Sequence, residues 1–409
     1  MKHISLWLFL ILFSISCKQD ITPVQQLQND VSFLANDALE GRKTGTEGEQ
    51  KAAEYIAKRF RELHLQPKGT EGYFQKFSFK PPSDPHAEVT FSDSSKADYI
   101  QGINVLGFLD NKAEHTVVIG AHYDHLGYGG EGSLYRDSIP AIHNGADDNA
   151  SGVATLLHLA SNSQSFGKEN NYLFMTFSGE EMGLLGSNYF VKNSTLPITS
   201  LNFMINMDMV GRLKEDQSLA VYGVGTSPLL KQTLNSNNTG FNLVLNESGV
   251  GPSDHTSFYL NDIPVLHFFT GQHEDYHKPS DDAERLNYEG MLSISNYIKK
   301  IINVLNSQEK LAFRKTKNES EETPRFTVSL GVVPDYLFDG KGMRIDGVSE
   351  GKVAQKLGLQ KGDVVVGLGH QEVTTMMDYM KALSKFSKGD QTTVTIDRDG
   401  KLQTFEVTF

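Results

Sequence analysis

The chain has 409 residues, of which 38% are hydrophobic and 22% charged. This balance describes a globular protein with a sizeable core and excludes a disordered one, and the length favours two domains. The formal net charge of -12, with no stripe of Lys and Arg interleaved with aromatic residues, argues against nucleic-acid binding because an acidic surface repels a polyphosphate.

Residues 1–17 have the architecture of a secretory signal: a short basic start, an apolar run from Ile4 to Phe13, and Cys17, the only cysteine. The run is too short to span a bilayer comfortably. The segment resembles a bacterial lipoprotein signal, which is cut before a cysteine that becomes lipidated, although Ser14 departs from that pattern. We expect an exported protein that is lipid-anchored through Cys17 to a bacterial cell-envelope membrane, on its periplasmic face or at the cell surface. The alternative is a secreted or periplasmic protein.

From Val24 to Leu65 a helical periodicity, broken at Gly41–Gly48, predicts two helices. Strands and helices alternate after it. The predicted strands are Phe74–Phe79, Ala87–Phe91, Asn104–Leu109, Thr116–Ala121, Asn171–Phe177, Leu201–Met207 and Ile263–Phe269. The predicted helices are Gly152–Ala160, Leu184–Val191 and Tyr288–Asn306. This order predicts an α/β fold with a mixed, largely parallel sheet that is buried on both faces and flanked by helices.

Metal-compatible side chains stand where several of these strands end, and binding crevices of open α/β sheets form at that edge. His122 follows the predicted strand Thr116–Ala121, and Asp124, two residues on, is placed to orient a metal-ligating imidazole. Asp148 lies among small residues that let backbone approach a ligand closely, and Asp208 is a charge inside an apolar stretch. Each motif alone has a structural explanation, such as a helix N-cap for Asp148.

Two further motifs complete the candidate site. Glu180 and Glu181 are adjacent, so one can ligate a metal while the other takes a proton from water, although a solvated acidic turn is the plain alternative. Tyr276 and His277 follow the last strand. We expect substrate contacts from three other residues: Arg212, Asp254 and His255.

Taken together, these motifs resemble the M28 family of zinc aminopeptidases from about Val24 to Leu305. The resemblance implies two zinc ions, with His122 and Asp208 on one, Glu181 and His277 on the other, and Asp148 bridging both. It implies that Glu180 is the general base, that Asp124 is the carboxylate beside the first His, and that Tyr276 stabilises the tetrahedral intermediate. These assignments follow from the resemblance.

A charged, mobile linker is predicted at residues 308–324, after a peptidase domain at 18–307. Residues 325–409 resemble a PDZ domain, a small β-rich module. The predicted strands are Phe326–Val333, Met343–Val348, Asp363–Leu368, Thr392–Asp397 and Leu402–Phe409. Leu330, Gly331 and Val332 match the loop that binds a peptide or protein carboxyl terminus. Packing against the first domain is the alternative role.

The sequence therefore predicts a zinc metallo-exopeptidase that acts on peptides, most simply an aminopeptidase. Three alternatives stay open: a carboxypeptidase, a glutaminyl-cyclase-like relative, and a catalytically silent peptide-binding scaffold. A cyclase would use one zinc, and a silent scaffold would be expected to lose Glu180 or a ligand.

Overall fold

The computed structural model describes residues 21–80, 89–92, 99–130, 132–317, 327–335, 337–338, 340–349 and 351–409. The predicted signal segment with Cys17 lies outside these residues, as do Ala87 and Phe326, the first residues of two predicted strands. None of the helices in the described residues is both long enough and apolar enough to cross a bilayer.

The larger sheet is built from ten strands of the described residues. They are β1 (Gln66–Pro67), β2 (Phe74–Lys80), β3 (Thr90–Phe91), β4 (Ile100–Leu109), β5 (His115–His122), β6 (Asn170–Phe177), β7 (Leu201–Met207), β8 (Ser218–Tyr222), β9 (Asn242–Leu245) and β10 (Val265–Phe269). Their order is β3-β2-β4-β6-β5-β7-β10-β8-β9, with β1 beside β4. The central strands β6, β5, β7 and β10 run parallel, and antiparallel strands flank them. The carboxyl ends of the central strands therefore meet at one edge.

Helices cover both faces of this sheet. They are α1 (Pro23–Leu34), α2 (Glu47–Glu62), α3 (Gly152–Ser161), α4 (Leu185–Lys192), α5 (Leu230–Asn237), α6 (His255–Tyr259) and α7 (Tyr288–Asn306). Alternate residues of β5 face opposite sides, so Val117 and Ile119 join the core beneath α1, α3 and α7 whereas Val118 joins the core beneath α4 and α6. Burial on both faces explains why the central strands read as apolar runs.

The structure confirms the α/β sandwich and differs from the prediction in its smaller elements. The strands β8 and β9 and the helices α5 and α6 were missed. Each is eight residues or shorter, too short for an apolar period to stand out.

The carboxyl-terminal region forms a second, antiparallel sheet with its own core. Its elements are β11 (Val332–Pro334), β12 (Met343–Val348), α8 (Val353–Lys356), β13 (Val364–Leu368), β14 (Gln371–Glu372), α9 (Met376–Leu383), β15 (Gln391–Arg398) and β16 (Lys401–Thr408). The order is β11-β12-β13-β15-β16, with β14 beside β13. Leu330, Ile345, Val365 and Leu383 belong to its buried core. The first strand is shorter than predicted.

The segment between the domains is fixed where the structure describes it. Leu311 is buried in the core of the larger domain, and its backbone N–H donates to Asn202 Oδ1 at 2.8 Å. Thr316 N–H donates to the hydroxyl of Tyr259 at 2.9 Å. Residues 311–316, which fall in the predicted linker, thus make apolar and polar contacts with the larger domain. Residues 318–324 of the predicted linker lie outside the described residues.

Candidate metal centre and substrate cavity

The sheet topology brings the five predicted metal ligands to one edge. His122 is the last residue of β5, Glu181 follows β6, and Asp208 directly follows β7. Asp148 lies in the turn before α3, and His277 lies in the loop after β10. Parallel neighbours end at the same edge of a sheet, so residues far apart in sequence become neighbours there.

The carboxylate of Asp148 lies between two imidazoles. Its Oδ1 is 3.3 Å from His122 Nε2, and its Oδ2 is 3.2 Å from His277 Nε2. The same nitrogen of His122 is 3.3 Å from Asp208 Oδ1, and that of His277 is 3.3 Å from Glu181 Oε2. Asp148 is thus shared by two clusters, each with an imidazole and a further carboxylate.

Charge pairing dominates the electrostatics of these clusters. Burial lowers the pKa of His277, but its contacts with Asp148 and Glu181 outweigh burial and raise the pKa to about 11. Burial likewise opposes the charge on His122, yet Asp208 and Glu180 hold its pKa well above the usual value. Burial raises the pKa of Glu181, whereas nearby imidazoles bring it down to about 2. Without metal, the clusters are ion pairs of imidazolium and carboxylate.

The backbone before α3 is shaped to present Asp148. Gly145 has a φ of 55°, and a side-chain carbon there would come within 2.1 Å of the Asp148 carbonyl oxygen, so only glycine fits. The backbone N–H groups of Asp147 and Asp148 both donate to Asp281 Oδ2, at 2.9 and 3.1 Å. The carboxylate of Asp147 accepts from Gly211 N–H. The two adjacent carboxylates therefore have different roles. Asp147 accepts a hydrogen bond from the backbone of Gly211, and Asp148 faces the cavity.

Asp124 lies behind the first cluster. Its Oδ1 accepts from the backbone N–H of Glu180 at 3.2 Å, and its Oδ2 accepts from the hydroxyl of Thr44 at 3.0 Å. His122 Nδ1 is 3.7 Å from Oδ1 and 3.3 Å from the Asp124 carbonyl oxygen. Asp124 thus positions both an imidazole and the chain that carries Glu180.

Glu180 and Tyr276 border the same cavity. Burial raises the pKa of Glu180 well above its usual value, and Asp208 and Glu181 add to this against the opposing effect of His122. The Tyr276 ring stacks on His277 with a centroid distance of 3.8 Å. Burial, followed by the carboxylates of the cavity, raises the pKa of Tyr276 well above 10, so its hydroxyl stays protonated.

His125 is a site residue that the sequence analysis missed. It is buried, and its Nδ1 is 2.7 Å from Glu181 Oε1. Ligand atoms of His122, Glu180 and Asp208 lie within 4.8 Å of one another, as do those of His125, Asp148 and Glu181. We assign His125 to holding Glu181, because His277 borders the cavity and His125 does not. The available signal in the sequence was a second histidine three residues after His122.

These donor atoms fit a divalent metal. Imidazole nitrogen suits zinc and its neighbours in the first transition row, and carboxylate oxygen broadens the choice to manganese or cobalt. Each cluster contains both kinds of donor, and each is shielded from bulk solvent, since His122 and Asp148 are 1% and 4% exposed. The residues present therefore fit metal binding.

The three residues predicted to contact substrate lie elsewhere. Asp254 and His255 are fully buried and do not border the cavity. Arg212 donates to Asp275 Oδ2 at 2.7 Å and does not border the cavity either. None of the three borders the cavity, whereas Gly251 and Pro252, shortly before Asp254, do.

Comparisons with known proteins find two regions of similarity. Residues 104–302 match the model of peptidase family M28, and residues 312–409 match the model of the PDZ domain. Aminopeptidase YwaD of Bacillus subtilis (strain 168) is 31% identical over 170 residues, which are 38% of this chain and 36% of that protein. The chain thus spans about a third of that relative's length.

Solved structures share the fold. BSAP, described as a zinc aminopeptidase from Bacillus subtilis, superposes with a TM-score of 0.53 at 17% identity, covering 73% of this chain and all of that one (100%). A glutaminyl cyclase from Porphyromonas gingivalis gives a TM-score of 0.54 at 17% identity, covering 70% of this chain and 99% of that one. At such identities the likeness establishes the fold. Residues 104–302 are thus similar to peptidase family M28, and residues 312–409 are similar to the PDZ domain.

Proposed function

We propose that the protein is a zinc aminopeptidase that binds two zinc ions and releases amino-terminal residues from peptides. The observation that carries this proposal is the placement of Asp148, whose oxygens contact His122 on one side and His277 on the other, beside Glu180. The names of the Bacillus subtilis relative and of the solved Bacillus subtilis structure support it.

His122 and Asp208 would hold one ion, His277 and Glu181 the other, and Asp148 would be shared. Bound zinc supplies Lewis-acid polarisation of the peptide carbonyl and lowers the pKa of water. The protein must lose protons from both imidazoles to bind it, since His122 and His277 have raised pKa values in their carboxylate surroundings.

Glu180 moves the proton. Its carboxylate takes a proton from the attacking water and returns it to the nitrogen of the leaving amine, which breaks the peptide bond without leaving a charge on the amine. The pKa of Glu180 is raised by burial and by Asp208 and Glu181. A raised pKa suits a group that must hold the proton between the two steps.

Tyr276 and Asp124 support the reaction in different ways. The Tyr276 hydroxyl, protonated at neutral pH, donates a hydrogen bond to the oxygen on which negative charge develops. Asp124 orients His122 and, through the Glu180 N–H, the backbone that carries the base. The base stays aimed at the reacting atoms as a result.

The charges of the cavity favour a free amino terminus over a free carboxylate. Of the carboxylates that border it, Asp148, Glu181 and Asp208 would be bound to zinc, which leaves Glu180 to attract an ammonium group. Among the described residues, Lys317 is the only Lys or Arg on its wall. A carboxypeptidase needs a cation near the reacting centre, and Arg212 is paired with Asp275 instead.

The test uses peptides that start with leucine, in free and amino-acetylated forms, with zinc-loaded protein and a Glu180→Gln variant. Release of free leucine from the free peptide alone, reduced by orders of magnitude in the variant, supports the proposal. Cleavage of acetylated peptides to the same extent contradicts it. Zinc content per folded chain tests the metal count: wild-type content near two ions, with about one ion lost in Asp208→Ala, supports two sites of which Asp208 holds one.

A glutaminyl cyclase shares the fold, so the same assay includes peptides that start with glutamine. Mass spectrometry separates free glutamine from a full-length peptide that has lost ammonia by cyclisation of its first residue. The second product with no first product would assign the protein to cyclisation. A chain that binds peptides without Glu180-dependent turnover would be a silent scaffold.

We also propose export and lipid anchoring through Cys17, supported by the sequence of residues 1–17. Labelling of cells with a palmitate analogue should mark the wild-type chain and not a Cys17→Ser variant. An unlabelled wild-type protein in the culture medium would instead indicate plain secretion.

A further inference from the structure

The cavity at the metal centre has walls from both domains. Its volume is about 1140 Å³, slightly more than that of pockets that enclose a small ligand, which run from about 300 to 1,000 Å³. The larger domain supplies the acidic floor with Glu180 and Tyr276. The PDZ domain supplies the facing wall, from Asp335 and Phe338, from Met343, and from the segment 374–380 at the start of α9. A molecule at the metal centre therefore lies against the PDZ domain.

Specific contacts hold the PDZ domain in this position. Lys214 Nζ, from the larger domain, is 3.2 Å from Asp346 Oδ2 in β12, whose side chain is 5% exposed. Lys361 completes the pairing at 2.9 Å from the other oxygen of Asp346. Buried Leu337 lies over Gly271, where a side-chain carbon would stand only 3.0 Å from it. These contacts hold the facing wall of the PDZ domain against the larger domain.

Much of the facing wall is apolar and rich in methionine, beside Asp335, Thr374 and Thr375. Met376, Met377 and Met380 of α9 border the cavity together with Met343 and Phe338. Thioether side chains are flexible and polarisable, so such a surface accepts varied apolar side chains without a fixed shape. This surface therefore suits an extended peptide with varied side chains and does not select one particular residue.

The other end of the PDZ domain has the features of a carboxylate site. Gly331 has a φ of +78°, which turns the segment Leu330–Val332 at the start of β11. The exposed side chain of Lys352 lies directly beside Gly331 and adds a positive charge. Within the described residues, β11 pairs only with β12, so its other edge offers backbone groups to an added strand.

The polarity of β11 links that loop to the cavity. A peptide whose carboxylate lies at the start of β11 must run antiparallel to it, with its amino-terminal side toward Pro334. Asp335 follows immediately, and Asp335 and Phe338 border the cavity that contains Glu180. The free edge of β11 therefore points an added strand's amino terminus at the metal centre.

From this arrangement we infer that the PDZ domain selects peptides held at both ends, with the carboxyl terminus at Leu330–Val332 and the amino terminus at the metal centre. This inference rests on the proposed aminopeptidase function and names its substrate class: linear peptides with both termini free. The three residues of β11 span about 10 Å, and the cavity takes several further residues, so peptides of roughly six to ten residues bridge the two sites.

The test compares matched octapeptides that start with leucine and end in a free carboxylate or an amide, with leucine p-nitroanilide as a short reference. In the wild type we expect kcat/KM to be about tenfold higher for the acid than for the amide, mainly through KM, because a charged hydrogen-bonded group is lost. The acid-to-amide ratio should fall towards one in Lys352→Ala. It should stay at the wild-type value in Lys401→Ala, which removes an exposed lysine at the opposite edge of the sheet.

A wild-type ratio near one overturns the inference, as does a ratio that Lys352→Ala leaves unchanged. Leucine p-nitroanilide separates this failure from that of the proposed function, because its turnover requires only the metal centre. Binding supplies a readout without turnover: in zinc-loaded Glu180→Gln, a fluorescent octapeptide should weaken severalfold on amidation and also on amino-acetylation. Sensitivity to amidation alone would mean that the two sites do not hold one peptide, which also contradicts the inference.

Discussion

Replacing Asp124 by asparagine tests whether this buried carboxylate positions the metal centre. Asp124 is 0% exposed and accepts hydrogen bonds from Glu180 N–H and the Thr44 hydroxyl. An asparagine can keep both, with its amide oxygen toward Glu180 and its NH2 group toward Thr44, whose hydroxyl can accept. The substitution therefore removes the negative charge behind His122 and leaves the local hydrogen bonds in place.

The expected magnitude follows from the position of that charge. Loss of a carboxylate behind a metal-binding imidazole costs about 10- to 100-fold in metal affinity or activity, which corresponds to roughly 1.4 to 2.8 kcal/mol. Because Asp124 also aims the backbone of Glu180, we expect kcat to fall along with zinc affinity. The drop in kcat should persist at saturating zinc.

The assay is competitive zinc titration with a chromogenic chelator, followed by steady-state kinetics at saturating zinc. Thr44→Val is the matched control, since it removes the outer hydrogen bond and keeps the carboxylate. We expect an effect several times smaller from the control, and thermal unfolding verifies that both variants fold. Wild-type zinc affinity together with wild-type kcat in folded Asp124→Asn would refute this reasoning.

Three further outcomes follow from buried groups. Zinc binding near pH 7.5 should release about two protons, one from each imidazolium of His122 and His277, because their pKa values are raised in the metal-free protein. Calorimetry in buffers of different ionisation enthalpy measures this release. A binding enthalpy that does not depend on the buffer would contradict it. Burial raises the pKa of Glu49 to about 7, above its unfolded value, so the folded chain binds the extra proton and loses stability as pH rises from about 4.5 to 7. Glu49→Gln should therefore gain stability relative to the wild type over that window, by up to roughly 3 kcal/mol. The same difference in stability between the two proteins at pH 4.5 and at pH 7 would contradict this. Leu311→Ala should lower the unfolding free energy by about 2–4 kcal/mol in urea titrations, because a buried side chain is lost, whereas exposed Lys315→Ala should have little effect.

Local chemistry made much of the fold predictable. The apolar runs that became β5, β6 and β7 are buried on both faces, and such strands must be apolar throughout. The charged residues at the ends of these strands were recognisable as candidates in the sequence, because a charge beside a buried apolar run lowers stability unless it is paired or functional. The shorter elements β8, β9 and α6 carry little periodicity of their own, so tertiary packing alone defines them.

The sequence by itself determined which residues are candidate metal ligands, since His122, Asp148, Glu181, Asp208 and His277 each stand in a distinctive local motif. Tertiary structure decided what stands behind them: His125 contacts Glu181, and Asp254 and His255 are sealed in the core. It also decided that the PDZ domain faces the metal centre. That placement depends on contacts such as Lys214 with Asp346, which join residues 132 positions apart. Local patterns set which side chains can do chemistry, whereas distant contacts set which of them meet.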